Sequence, residues 1–318
     1  MSATDTVGAP EYAIEDLGTE RVLHVGGVAY RTRYSERVLR LLIERKGAHR
    51  APLYLPFKLT RGEHFLGRLL RYLEARGRRE LSVLEVGCSF GHITEYLDEH
   101  PLVARIATFD VDPGFVEIAR VKAAELPFRK VAEIQRFTDE ETTRLPWPGG
   151  HFDLVVAIGV VEHLPSTARH RYVDEYYRVL APGGHIAILD TPNRAFPLET
   201  HSVGLPGIQW LPPKLAWAYA RRCRPGRVRG VSFHDFSAGA WRNAAWSECL
   251  PSSGATELVD VTEEGGYGWR FFRETARSRT RRALLPYFAL ATRMLAAAGR
   301  PPSLALPYFN VVFRKARG

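Results

Sequence analysis

The chain has 318 residues, 45% hydrophobic and 25% charged, and 44 Lys+Arg against 35 Asp+Glu leave a formal charge of +9. This is the composition of a folded protein with ample chain for a core, and it excludes wholesale disorder. No run of about 18 uncharged apolar residues occurs and the first residues are polar and acidic, which reads as neither a membrane span nor a secretory signal. Three cysteines (Cys88, Cys223, Cys249) without CxxC spacing argue against a disulfide framework or a structural zinc site, and for reduced thiols in a cytoplasmic setting.

Residues 1 to about 20 show no apolar periodicity and read as a segment that frays or drapes over the surface. From Arg31 to Lys46 and from Arg61 to Arg76, apolar residues recur at helical spacing, the second run ending at Gly77, so residues 1–80 are expected to form a helical N-terminal extension. After Gly77 the pattern changes. Short apolar runs at Leu81–Val86, Arg105–Phe109, Ile134–Phe137, Phe152–Ile158 and His185–Leu189 alternate with helix-length stretches at His92–His100, Pro113–Leu126 and Ser166–Leu180. Parallel strands need a crossover and a helix supplies it, so this alternation predicts an α/β, Rossmann-like, doubly wound sheet over residues from about 81 to 190. Beyond Pro192 lie a stretch rich in Pro, Trp and Arg, a strand at Thr256–Val261, an apolar helix at Ala283–Ala298 interrupted by Pro286, and a closing strand at Tyr308–Phe313. The insertions at about 191–255 and 266–304 leave the carboxyl ends of strands, where lids over a substrate pocket sit.

Val83 to Gly91 reads VLEVGCSFG, a buried strand entering a glycine-bearing turn that opens a helix at His92, the layout of a nucleotide-binding βα turn. The next strand ends TFDVDP. Asp110 stands where an acid accepts hydrogen bonds from both ribose hydroxyls, whereas Asp112 is the better placed to cap the helix that begins at Pro113.

With these two segments, LPWPGGHFDLVVAIGVVEHLP (Leu145 to Pro165) and RVLAPGGHIAILDTPNR (Arg178 to Arg194) complete a resemblance to the class I S-adenosylmethionine-dependent methyltransferases, especially the ubiquinone-biosynthesis type of small-molecule methyltransferase. The resemblance covers about 110 residues and implies a seven-stranded methyltransferase sheet within residues 81–318 and S-adenosylmethionine as cofactor, leaving as S-adenosylhomocysteine. It implies that Glu85, Gly87, Cys88 and Gly91 face the methionine moiety, Asp110 and Val111 the ribose, Glu141 or its neighbours Asp139 and Glu140 the adenine, and Ile158 with Gly159 the transferred methyl. Asp153 reads as structural. Ubiquinone-type members carry an acid three residues before the Glu-His pair that helps hold a metal; here Gly159 stands there, and no metal ligand is assigned.

Methyl transfer from a sulfonium requires alignment, exclusion of water and removal of one proton, for which histidine is the natural base at neutral pH. His163 follows the fourth strand of the motif region, and His201 lies in the insertion after the fifth. His234 beside Asp235 is a third candidate, and Tyr54, Phe57, Trp210 and Trp217 are candidates for stacking on a flat acceptor. The favoured reading is a methyltransferase acting on the oxygen of a small-molecule acceptor, a metabolite, sugar or natural product. Thirty-eight of the basic residues are arginines, clustered at Arg221–Arg229 and Arg273–Arg282, as a nucleic-acid surface, a lipid-headgroup surface or a plain solvated face would show. An RNA or DNA methyltransferase is one alternative, and against it stands that amino-directed nucleic-acid enzymes place an Asn/Asp-Pro-Pro-aromatic loop where this chain has AIGVVEH. A lipid-linked acceptor, with peripheral membrane contact, remains an alternative, since the second cluster runs straight into the apolar helix from Ala283, the order of an interfacial anchor or of a helix packed on the domain. A scaffold that binds the cofactor without catalysis is the remaining class.

Overall fold

The computed structural model describes residues 11–252 and 257–317. Three N-terminal strands are β1 (Tyr12–Asp16), β2 (Arg21–Val25) and β3 (Val28–Thr32), and seven more are β4 (Leu81–Val86), β5 (Val103–Asp110), β6 (Val131–Arg136), β7 (Phe152–Ile158), β8 (Leu180–Pro192), β9 (Leu258–Asp260) and β10 (Tyr308–Lys315). The helices are α1 (Glu36–Lys46), α2 (Arg68–Ala75), α3 (His92–Glu99), α4 (Pro113–Glu125), α5 (Arg169–Val179), α6 (Pro213–Cys223), α7 (Phe233–Ala238), α8 (Gly268–Thr275) and α9 (Arg279–Ala297).

The seven-stranded sheet has the order β6-β5-β4-β7-β8-β10-β9; β6 to β8 are parallel, and β10 runs antiparallel to both its neighbours. Successive strand residues point to opposite faces. Leu84, Val86, Val155 and Ala157 accordingly pack with Tyr172, Tyr176 and Tyr177 of α5 on one side, while Val83, Leu154 and Val156 meet Leu69, Leu70 and Leu73 of α2 and Ile93 and Leu97 of α3 on the other. Both faces are covered, which is why β4 and β7 are almost unbroken apolar runs. From β4 the chain builds outward through β5 to β6, then returns to the other side of β4 with β7, so the winding reverses between β4 and β7. Ligands of open α/β sheets bind at such a reversal. Asp153 is structural as expected, its carboxylate accepting the Ser82 N–H at 3.1 Å.

The helical expectation for residues 1–80 is corrected over residues 12–32. Val22, Leu23 and Val25 are buried on β2, and Gly26 and Gly27, both at positive φ, form a two-residue turn that a hairpin needs. The signal was the dipeptide Gly26-Gly27 between apolar runs. The expected helix from Arg31 therefore begins only at Glu36, where Ser35 accepts the Val38 N–H as its cap. Of the segment expected to fray, residues 1–10 lie outside the described residues and Tyr12–Asp16 is a paired strand. The helix expected from Arg61 begins instead as a π-helical stretch, Lys58–Gly67, that runs into α2. Gly62 there lies so close to Tyr96 that a Cβ would sit 2.5 Å from the ring, so a wider turn and a glycine go together. Farther on, Thr256 of the expected strand lies outside the described residues and the observed strand is Leu258–Asp260. Pro286 lies within α9 without ending it. Among the described residues no helix is long and apolar enough to cross a membrane.

Candidate active site

A cavity of about 870 Å³ opens over the carboxyl ends of β4 and β7, within the size range of small-molecule sites. Its floor is the turn after β4. Gly87, Ser89 and Gly91 all take positive φ; at Gly87 a Cβ would lie 2.9 Å from Val160 Cγ2, so only glycine lets β4 turn this tightly against the β7 loop. Glu85, at the end of β4, is buried, and burial pushes its pKa up to about 8 although the Thr94 hydroxyl donates to it at 2.5 Å. Asp110 ends β5. The Ser89 N–H donates to one of its oxygens at 2.8 Å and the Asp112 N–H to the other at 3.0 Å, while burial raises its pKa. Asp112 does the separate work expected of it, accepting the Gly114 and Phe115 N–H groups as the cap of α4 and pairing with Arg45.

Across the cavity, a second set of groups converges from the β7 loop and the insertion after β8. His163 Nε2 and His201 Nε2 each lie 4.0 Å from Oε1 of Glu162, and the two rings are 5.2 Å apart. Burial, then the charges of His201 and Arg169, lower the His163 pKa and favour its neutral form. Both carboxylate oxygens of Glu162 are buried without a hydrogen-bond partner, and burial, reinforced by Asp190, pushes its pKa up to about 8. His201 is held by a buried carboxylate two residues earlier. Glu199 accepts the backbone N–H groups of His201, Ser202, Val203 and Gly204 at 2.6 to 2.8 Å, which fixes the loop that carries the imidazole.

The remaining wall comes from the N-terminal extension. Lys46, Tyr54, Phe57 and Arg61 line the cavity. Arg61, on the π-helical stretch, donates to Asp190 at 2.8 Å, and its guanidinium lies 5.0 Å from the Phe65 ring centre. Asp190, at the end of β8, is itself at positive φ.

Of the residues expected from sequence, Glu85, Gly87, Asp110, Val111, Ile158, Gly159, His163 and His201 line the cavity, as do Tyr54 and Phe57. Cys88 is buried behind the turn, Gly91 shapes the turn from the side facing α4, and Glu141 points away, its side chain accepting the Thr138 N–H. Asp139, one of the two alternatives to Glu141, lines the cavity with Thr142, because the short helical turn at Glu141–Thr143 carries Glu141 away from it. Trp210 is exposed with its indole N–H on the Arg194 carbonyl, Trp217 packs on Phe236, and Asp235 takes the Ser232 hydroxyl in the first turn of α7, so none of these faces the cavity. Arg61, His92, Glu162, Asp190 and Glu199 were not singled out from sequence. For His92 the signal was its place directly after the glycine turn: its Nδ1 is buried without a partner, and its ring stacks on Phe90 at 4.7 Å.

A family model described as "Methyltransferase domain" matches residues 84–188, the stretch from β4 to β8 that frames the cavity floor. Residues 84–188 are a class I methyltransferase domain. S-adenosylmethionine is the cofactor of this class. The methyltransferase domain is similar to nodulation protein S of Rhizobium tropici (35% identical, 33% of this chain and 41% of the relative), to a demethylmenaquinone methyltransferase of Thermus thermophilus (32%, 35% and 47%) and to ajmaline N-methyltransferase of Rauvolfia serpentina (28%, 37% and 38%). The chain thus spans less than half the length of each of these relatives. Outside the methyltransferase domain, the three-stranded N-terminal sheet and the segments between β8 and β10 are not covered by the family model.

Proposed function

We propose that this protein transfers the methyl group of S-adenosylmethionine to a hydroxyl oxygen of a small-molecule acceptor. The observation that carries the reading is the arrangement of one cavity with two chemically different halves: a glycine turn with Asp110 on one side, and the Glu162, His163 and His201 group on the other. In this reading Asp110 accepts the ribose hydroxyls, since its carboxylate already faces the cavity with only two backbone donors on it. Glu85 and the Gly87 turn face the methionine end, Asp139 the adenine, and Ile158 and Gly159 the methyl. The acceptor hydroxyl lies toward His163 and His201, one of which removes its proton as the in-line displacement proceeds. The electron pair of that oxygen forms the new C–O bond, and the C–S pair stays on sulfur. His163, more than half exposed on the cavity side, has a lowered pKa that keeps its imidazole neutral and free to accept a proton at neutral pH.

The two insertions act as the lid that excludes water: His201 and Ser237 of the first line the cavity, and Phe196 of the first stacks on Phe288 of the second at 6.0 Å. Two of the relatives are named for methylating demethylmenaquinone and ajmaline, which supports a small-molecule acceptor. Calorimetry with S-adenosylmethionine and with a nicotinamide dinucleotide, followed by measurement of S-adenosylhomocysteine release over pools of hydroxylated acceptors, tests the reading. Binding of the dinucleotide with none of S-adenosylmethionine would end it.

One observation favours a second role for the same three side chains. Ligating atoms of Glu162, His163 and His201 all lie within 4.8 Å of one another, and two imidazoles with a carboxylate suit a divalent cation. No metal ligand was expected from sequence because Gly159 replaces the acid of the ubiquinone-type pattern, whereas His201, far along the chain, brings the third donor. These residues would hold the ion, which when bound would lower the pKa of the acceptor hydroxyl in place of a histidine base. Chelation separates the roles: turnover abolished by a chelator and restored by added Mg²⁺ or Zn²⁺ assigns the group to a metal, and turnover unchanged by a chelator assigns it to base catalysis.

A further inference from the structure

The second insertion carries a helix whose surface the methyltransferase reading does not use. On α9, Phe288 and Thr292 face inward: Phe288 packs on Phe196 and Phe272, and Thr292 is buried. The opposite side is apolar and uncovered. Leu284, Tyr287, Leu290 and Met294 are 42%, 72%, 59% and 64% exposed, and their spacing of three and four residues makes them a single stripe at about 100° per residue. From Ala276 to Arg300 there are six arginines (277, 279, 281, 282, 293 and 300) and no acidic residue. None of the six enters an ion pair among the described residues. Arg282 and Arg293, eleven residues apart, fall on the same flank of the stripe because eleven residues are close to three full turns.

Three of these arginines sit in the first turn of α9, where the helix dipole is positive and cations cost stability. They are therefore not there for the helix. We propose that α9 is an interfacial helix that seats the protein on an anionic lipid surface, with Leu284, Tyr287, Leu290 and Met294 in the acyl boundary and the arginines among the headgroups. Apolar stripe plus unpaired cations is the combination such a surface binds. A second copy of the chain fits poorly, because it would set twelve unpaired arginines against one another. The seated face lies beside the cavity. Phe288 packs on Phe196, five residues before the cavity-lining His201, and the Tyr308 hydroxyl that follows the insertion meets Thr200, the neighbour of His201. An acceptor dissolved in the bilayer would then reach the His163–His201 side of the cavity from the membrane.

Flotation with vesicles of phosphatidylcholine alone, and of phosphatidylcholine with about one third phosphatidylglycerol, tests this. The full chain is expected to float with the anionic vesicles at least about tenfold more strongly than with neutral ones, and less as salt rises. Tyr287→Ser/Leu290→Ser/Met294→Ser should lose about tenfold or more of that binding. Arg279→Ser/Arg293→Ser, which keeps the apolar stripe and removes no packed atom, should lose roughly fivefold per charge. Equal flotation with both vesicle types, no effect of either variant, or tighter binding to a polynucleotide than to vesicles overturns the proposal. So does a wild-type dimer in light scattering that the triple variant converts to monomer, since a second copy then covers the stripe.

Discussion

The two halves of the cavity are built by different rules. The half around Gly87 and Asp110 is made by neighbours in sequence: a strand end, a tight turn whose φ values demand glycine, and an acid that closes the next strand. The half around His163 is made by segments that meet only in the folded chain, with Arg61, His163, Asp190 and His201 drawn from the N-terminal extension, the β7 loop, the end of β8 and the first insertion. Changes in the first half should therefore alter cofactor affinity with little effect on the chemical step, and changes in the second should do the reverse.

The largest expected effect belongs to the second half. Replacing the histidine that serves as base, His163 or His201, by Ala should lower turnover about 10²- to 10⁴-fold with cofactor affinity nearly unchanged. If the base is His201, Glu199→Ala should lower turnover too, because it releases the four backbone N–H groups that fix the loop, whereas a His163 base would leave that variant much less affected. Steady-state kinetics and calorimetry on one acceptor decide between them; losses of only a few-fold in both histidine variants would remove histidine base catalysis.

Next comes the pH dependence of stability. The Glu162 carboxyl titrates near pH 8 in the folded chain against about 4.5 when unfolded, so the fold favours its neutral form. Its contribution is complete below pH 4.5 and is lost as pH rises toward and through 8, a swing on the order of a few kcal/mol. Glu162→Gln should remove that decline and be the more stable protein at pH 8; denaturant melts of both proteins from pH 5 to 8.5 measure it. Identical pH profiles would show that the carboxyl ionises freely in the fold.

In the first half, Asp110→Ala should weaken S-adenosylmethionine binding by roughly 1.5 to 3 kcal/mol, the range for hydrogen bonds to a charged group. The smallest effect sharpens it: Asp112→Ala should cost about 1 kcal/mol of stability through the lost cap of α4 and leave cofactor affinity almost untouched. An Asp112 variant with the larger affinity loss would exchange the two roles.

The same contrast governs what could be read beforehand. Strands β4 and β7 stood out as apolar runs, and the assignment of Asp112 as cap and Asp110 as cavity acid follows from spacing alone, because each depends on residues within a few positions. The hairpin of β2 and β3 was missed although Gly26-Gly27 marked it, since the helical spacing from Arg31 onward drew residues 31–35 into the following helix. Among Glu141, Asp139 and Glu140 spacing alone does not choose; the short helical turn at Glu141–Thr143 turns the Glu141 side chain onto the Thr138 N–H and leaves Asp139 on the cavity. Arg61 and Glu199 carried no local signal at all: an arginine among 38, and an acid whose four partners are backbone N–H groups of an irregular loop, become distinctive only when distant segments meet.

Strand β10 has a bearing on how the molecule is made. It is the last described strand in the chain, yet it lies inside the sheet between β8 and β9, pairing with β8 over residues 308–314. During synthesis, β4 to β8 can assemble as soon as they emerge, each strand adding beside one already present. The outer flank of β8, however, stays without its partner until the 115 residues between Pro192 and Tyr308 have been made. Non-local pairing of that kind is slow and leaves an unpaired strand edge exposed. A nascent chain halted before residue 308 should therefore carry a nearly complete cofactor turn alongside a sticky, half-finished sheet, a species that chaperones would be expected to hold until the final strand arrives.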